Sequence, residues 1–194
     1  MAVGVLYAVL GRGGSSGAQG TGSRGNYPYT VGTPGPGDVA PAIDLESTGG
    51  GTFRLADSLG EERVLLFFQE GLTCQPCWDQ AVALQRDAAK LRGLGIEQIV
   101  SITTDPLELV AQKAGDEGIE LPVLSDPTGA VSDTYGARGF GMMGGERNGH
   151  TFVLVDEDGT IAWRADYGGE PNFFMFIPDE VILSELRSAL GASG

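Results

Sequence analysis

Both cysteines of this 194-residue chain stand in one four-residue unit, Cys74-Gln75-Pro76-Cys77. Two cysteines two residues apart at a helix start can close a small disulfide. The free amides and positive dipole end of a helix N-terminus favour a thiolate there. That is the requirement of a redox dithiol. Pro76 removes a backbone donor where a helix has spare ones and stiffens the turn carrying both sulfurs. The plainer alternative is a pair of buried cysteines that only pack. With two cysteines and one histidine in all, a multi-cysteine zinc module or a disulfide-rich scaffold is excluded, because neither can be built from so few ligands or bridges.

Other residues invite chemistry less strongly. Trp78 follows the dithiol and either shields the helix start, offers a stacking surface, or is simply core. Gly139-Phe140-Gly141-Met142-Met143-Gly144 matches the glycine spacing of a dinucleotide loop, yet no buried strand precedes it and no helix follows, so that reading fails on context. The segment reads instead as a mobile loop, or as a soft methionine patch for a partner protein. Carboxylate pairs such as Asp156 with Asp158 and Glu61 with Glu62 lie in turns of an acidic chain and read as solvated surface charge.

The elements that must position the dithiol follow from hydrophobic periodicity. Arg63 to Gln69 is a continuous apolar run, the pattern of a strand buried on both faces of a parallel sheet. Ile43 to Leu45 and Thr52 to Leu55 flank Gly49-Gly50-Gly51 and predict a short hairpin. Further strands are predicted at Ile99 to Thr103, Val123 to Leu124, Thr151 to Asp156 and Ile161 to Ala165, the last two joined by a Glu157-Asp158-Gly159 turn. In Cys77 to Leu91, apolar residues recur at three- and four-residue spacing and predict an amphipathic helix. Asp105-Pro106-Leu107-Glu108 reads as a capping box with proline at the first helical position, opening a helix that runs to about Ala114. A short turn is predicted over Ala130 to Tyr135. A last helix should begin near Pro178, with Val181, Ile182, Leu186 and Leu190 on its inner side.

Before this domain the composition differs. Ala2 to Leu10 is apolar but too short to span a bilayer, and no lysine or arginine precedes it. It reads either as the end of a longer membrane or signal segment or as a short buried terminus. Gly11 to Pro41 is rich in Gly, Ser, Thr and Pro and reads as a linker. The expected organisation is an apolar stub and flexible linker over residues 1–37, then one domain over 38–194. A membrane-tethered, extracytoplasmic placement is expected over a cytoplasmic one. Twelve Lys and Arg against 26 Asp and Glu give a formal charge of −14, which repels phosphate backbones and sets nucleic acid aside as a partner.

With its CxxC at a strand-to-helix junction, the chain resembles the thioredoxin superfamily, in its peroxiredoxin-like (AhpC/TSA) and TlpA-like redoxin branch. The resemblance covers roughly residues 38 to 190. It rests on Asp44-Leu45 with Gly51-Thr52-Phe53-Arg54-Leu55-Ala56-Asp57, the strand Val64 to Phe68, Thr104-Asp105-Pro106, Leu121-Pro122-Val123-Leu124-Ser125-Asp126-Pro127 with Tyr135-Gly136, and the closing hairpin Phe152 to Ile161. It implies a thioredoxin-like α/β fold, a central mixed sheet flanked by helices, behind a disordered Gly-rich N-terminal tether.

Two redox chemistries are implied by the family. As a thiol–disulfide oxidoreductase, Cys74 attacks and Cys77 resolves, with no organic cofactor or metal and with a protein disulfide or dithiol, or a thioredoxin-type reductant, as partner. As a peroxiredoxin-like thiol peroxidase it reduces hydroperoxides, with Cys77 or Cys74 as the oxidised thiolate and external thiols as reductant; Cys77 falls where the family's P-x-x-x-T-x-x-C pattern places the attacking cysteine. Cys74 then stands in place of the threonine, leaving Thr73 as a shifted substitute. Arg147 and Arg138 are candidates for the activating arginine. The fold implies that His150, before the strand at Thr151, lies near the dithiol as a tuning or substrate-facing base, or as an ordinary strand-edge histidine. Resemblance to Sco-type copper-delivery proteins adds a lesser reading in which Cys74, Cys77 and His150 bind Cu(I), although those proteins carry three residues between the cysteines.

Overall fold

A computed structural model describes residues 20–24 and 26–192. Among these residues nine strands, β1 (Gly20–Arg24), β2 (Tyr27–Val31), β3 (Asp44–Ser47), β4 (Thr52–Arg54), β5 (Arg63–Phe68), β6 (Ile96–Thr103), β7 (Val123–Ser125), β8 (Thr151–Val155) and β9 (Ile161–Asp166), form one mixed sheet. Their spatial order is β1-β2-β9-β8-β5-β6-β7-β3-β4. The central β5, β6 and β7 run parallel, whereas β8 lies antiparallel to β5.

Period-two alternation along β5 builds both cores. Leu65 and Phe67 pack with Trp78, Leu84, Val110 and Ile182 on one face, while Val64, Leu66 and Phe68 pack with Ile43, Leu55 and Tyr135 on the other. All five residues from Val64 to Phe68 are fully buried. Each contributes about 1.5–3 kcal/mol by leaving water. Helices α1 (Gln75–Arg86), α2 (Ala88–Arg92), α3 (Leu107–Asp116) and α5 (Asp179–Ala192) cover the first face, and α4 (Ala130–Thr134) lies over the second. The sandwich expected from the sequence, with helices on both faces of a mixed sheet, is therefore formed.

Three local expectations differ. The helix predicted over Cys77 to Leu91 is two helices, because Asp87 leaves helical geometry at φ −94° and ψ 10° and its carboxylate holds Lys90 at 2.8 Å. The helix predicted from Asp105 starts at Leu107 with Pro106 as its N-cap, and the Asp105 side chain does not cap it. Finally, the stretch read as a linker holds β1 and β2. Tyr27, Tyr29 and Val31 alternate along β2, and Tyr29 is buried against Trp163 and Tyr167, its hydroxyl donating to Glu185 Oε2 at 3.1 Å. Apolar burial outweighs the local glycine content there. Ala2 to Leu10, together with residues 11–19 and 25 of the linker, lie outside the described residues. Among the described residues no helix is long and apolar enough to cross a membrane.

One buried charge cluster fastens this N-terminal segment to the domain. Arg164, fully buried, donates through Nε and Nη2 to the two carboxylate oxygens of Asp166 at 2.8 and 2.9 Å. Its Nη1 donates to the carbonyl oxygens of Pro34 and Tyr135. Asp166 also accepts the Gly32 N–H at 2.7 Å and the Thr151 hydroxyl at 2.7 Å. These added hydrogen bonds offset the cost of taking both charges out of water.

Candidate redox site

Strand β5 ends at Phe68, and the chain crosses Gln69 to Thr73 before entering α1. Gly71 turns this crossing in the left-handed region, at φ +89°. Its carbonyl accepts the Cys74 N–H and the Trp78 indole N–H, each at 3.0 Å. Cys74 is thereby delivered to the N-cap of α1, where its sulfur accepts the Cys77 N–H at 3.3 Å. Cys74 and Cys77 form a disulfide with their Cα atoms 5.3 Å apart. The bridge closes at the positive end of α1, where backbone amides favour a thiolate once it is reduced. Cys74 keeps 5% of its surface exposed and Cys77 none, so Cys74 is the cysteine that solvent reaches.

The residues around the bridge divide clearly. Thr73 and Pro76 are exposed beside it. Trp78 is fully buried, packing in the core under the helix start while the Lys113 ammonium lies 6.0 Å from its ring centroid. Of its expected roles, shielding and core packing are the ones its burial allows. Gln75, between the cysteines, is exposed and bonded to Asp79, Lys113 and Glu117.

His150 belongs to the interior. Its Nε2 lies 3.2 Å from Gln80 Oε1, which also accepts the Ile177 N–H, and its ring meets Phe67 and Phe152 edge-on. Complete burial pushes its pKa down to about 3, so the imidazole is neutral. Gln80 lies three residues after Cys77 on α1, so His150 supports the helix from below. The copper set of Cys74, Cys77 and His150 is not assembled: among the described residues no three His, Cys, Asp or Glu side chains are grouped so as to hold a metal ion.

Arg138 and Arg147 go to different places. Arg138 faces Asp133 and the Gly145 carbonyl. Arg147 Nη1 donates to the Glu70 carbonyl at 2.9 Å and to Asp105 Oδ1 at 2.8 Å, on the loop that leads to Cys74. Sequence reasoning missed Asp105 and Glu70 as parts of this surround. Glu70 Oε1 accepts the Met142 N–H at 2.6 Å and so joins the glycine- and methionine-rich loop to the end of β5. Met142 and Met143 are exposed there. Glu70 carries no local signal, whereas the apparent capping box concealed the role of Asp105.

Residues 36–164 match the model of the AhpC/TSA family. A putative peroxiredoxin of Mycobacterium tuberculosis is 35% identical over 130 residues, covering 65% of this chain and 81% of that protein. Peroxiredoxin Bcp of Escherichia coli is 30% identical over 128 residues, covering 64% and 81%. Among solved structures, peroxidoxin BcpB of M. tuberculosis superposes with a TM-score of 0.65 at 24% identity, covering 79% of this chain and 97% of that one. Reduced 2-Cys peroxiredoxin of Plasmodium vivax gives 0.68 at 20% identity, covering 81% and 83%. These two likenesses concern the fold, which is thioredoxin-like. With the family model spanning the sheet from before β3 into β9 and the CxxC disulfide at the start of α1, the chain belongs to the AhpC/TSA family and is an oxidoreductase.

Proposed function

We propose that the chain is a thiol peroxidase that works through an intramolecular Cys74–Cys77 disulfide. The observation that carries this reading is the bridge itself, closed between the two cysteines at the N-terminus of α1 with Cys74 as N-cap and the more exposed cysteine. The peroxiredoxin names of its relatives favour a hydroperoxide as oxidant. Reduced Cys74, as thiolate, attacks the terminal peroxide oxygen. The O–O bond breaks, the alcohol or water leaves with a proton, and Cys74 becomes a sulfenic acid. Cys77 then attacks the Cys74 sulfur, forming the S–S bond and releasing water. An external dithiol supplies two electrons and two protons to restore both thiols. Burial of Cys77 suits a resolving sulfur, which needs to meet only Cys74.

A second reading, exchange with a protein disulfide, draws on two observations. Cys74 stands where the peroxiredoxin pattern carries a hydroxyl, and the nearby Arg147 is engaged by Asp105 and the Glu70 carbonyl. Stopped-flow consumption of hydrogen peroxide by the reduced protein, beside reduction of a disulfide substrate, separates the two. For the peroxidase, one equivalent of peroxide reacts rapidly with wild type and Cys77→Ser but not with Cys74→Ser. Slow peroxide reaction with fast, Cys74-dependent disulfide exchange supports the second reading instead.

A further inference from the structure

The loop from Glu70 to Thr73 has no regular secondary structure, yet it sets where Cys74 sits. Several side chains fix it from two sides. Asp105 Oδ2 accepts the Leu72 N–H at 2.8 Å and the Thr103 hydroxyl at 3.0 Å. Arg147 Nη1 ties Asp105 Oδ1 to the Glu70 carbonyl oxygen, so one guanidinium nitrogen spans the carboxylate and the loop it holds. From the other side the Gly71 carbonyl is held by the Trp78 indole and the Cys74 amide. Between these groups there is no room to spare. A Cβ on Gly71 would fall 1.8 Å from Asp105 Oδ2 and 2.2 Å from Thr103 Oγ1.

The Asp105 carboxylate is bonded to the Leu72 amide, the Thr103 hydroxyl and Arg147 rather than to a sulfur. Its side chain is 5% exposed, and hydrogen bonds to a carboxylate strengthen as water is excluded. The stabilisation that a Cys74 thiolate draws from the Cys77 amide and the α1 dipole depends on the sulfur being held at the N-cap. The geometry points to Asp105, clamped by Arg147, as the positioning residue that holds Cys74 at the helix terminus, where it is ionised and attacks. The assignment rests on Cys74 being the nucleophile. Replacement by asparagine breaks one contact in either orientation of the amide, because a single oxygen cannot serve both the Leu72 amide and the Arg147 guanidinium.

The test uses the full chain carrying Cys77→Ser, so that Cys74 is the one thiol, and reads the pH dependence of its alkylation by iodoacetamide together with thermal unfolding. Adding Asp105→Asn is expected to lower the alkylation rate at neutral pH about tenfold, the scale of one charge-assisted hydrogen bond, and to move the profile to higher pH. Arg147→Met should move it in the same direction by a smaller factor. Asp44→Asn, at the exposed edge hairpin, should leave it unchanged. A profile that stays put in both loop variants while only the melting temperature falls overturns the assignment. Should Asp105→Asn fail to fold, an unchanged profile in Arg147→Met overturns it equally. Alkylation needs neither peroxide nor a disulfide substrate, so a shifted profile in a protein that turns over neither one supports the positioning role and removes the functional reading alone.

Discussion

Asp105 Oδ2 occupies the space that a side chain on Gly71 would fill. Gly71 is also at φ +89°, where L side chains are strained. Both effects oppose any larger residue. Gly71→Ala is expected to destabilise the protein by about 2–4 kcal/mol in urea unfolding, combining backbone strain with overpacking. A loss below about 0.5 kcal/mol would show that the loop relaxes freely around Asp105.

The buried neutral His150 makes stability depend on pH. Its pKa is near 3 when folded, against an ordinary value near 6.5 when unfolded, so between these values the unfolded chain binds the extra proton. The contribution is fully present above about pH 6.5 and is lost as pH falls toward 3, at about 1.4 kcal/mol per pH unit. Urea unfolding of wild type and His150→Gln from pH 7 to 4.5 checks this. The wild type should weaken by that extra slope, and equal slopes in the two proteins would contradict it.

Removing one member of the Arg164–Asp166 pair strands the other. Arg164→Met leaves the Asp166 carboxylate buried with only the Gly32 amide and Thr151 hydroxyl, and frees the Pro34 and Tyr135 carbonyls. A loss of about 3–5 kcal/mol is expected. Calorimetry of this variant beside the double variant Arg164→Met/Asp166→Leu measures it. Partial recovery in the double variant would identify the uncompensated charge as the cause.

The segment around β2 is expected to belong to the stable domain. A chain starting at Asp38 loses Tyr29, the Gly32 amide bonded to Asp166 and the Pro34 carbonyl bonded to Arg164. Burial of one tyrosine alone is worth about 2 kcal/mol. A melting temperature at least about 5 °C below that of a chain starting at Gly20 should follow. Equal melting temperatures would place the boundary at Asp38 after all.

Much of the redox centre was legible from short-range pattern. The apolar run at Arg63 to Gln69, the CxxC after it and the amphipathic spacing beyond identify a buried strand, a dithiol and a helix, because each signal lies within a dozen residues of the element it specifies. Asp105 shows where such reading fails. Its local sequence is that of a helix cap, but its carboxylate goes to the Leu72 amide 33 residues earlier and to Arg147 42 residues later. Two uses of one carboxylate compete, and only the packed fold decides between them.

Tyr29 and His150 make the same point at longer range. A tyrosine among glycines has no local reason to be ordered, and becomes core because Trp163, Tyr167 and Glu185 converge on it. His150 is neutral because it is buried, beside Phe67 and Gln80 brought from distant parts of the chain. By itself the sequence determined the sheet's central strands, the place of the dithiol and the acidic character of the surface, since these follow from composition and periodicity. The tertiary structure decided which cysteine solvent reaches, which carboxylate holds the loop and which titratable group is neutral, because burial and hydrogen bonding depend on groups brought together from distant parts of the chain.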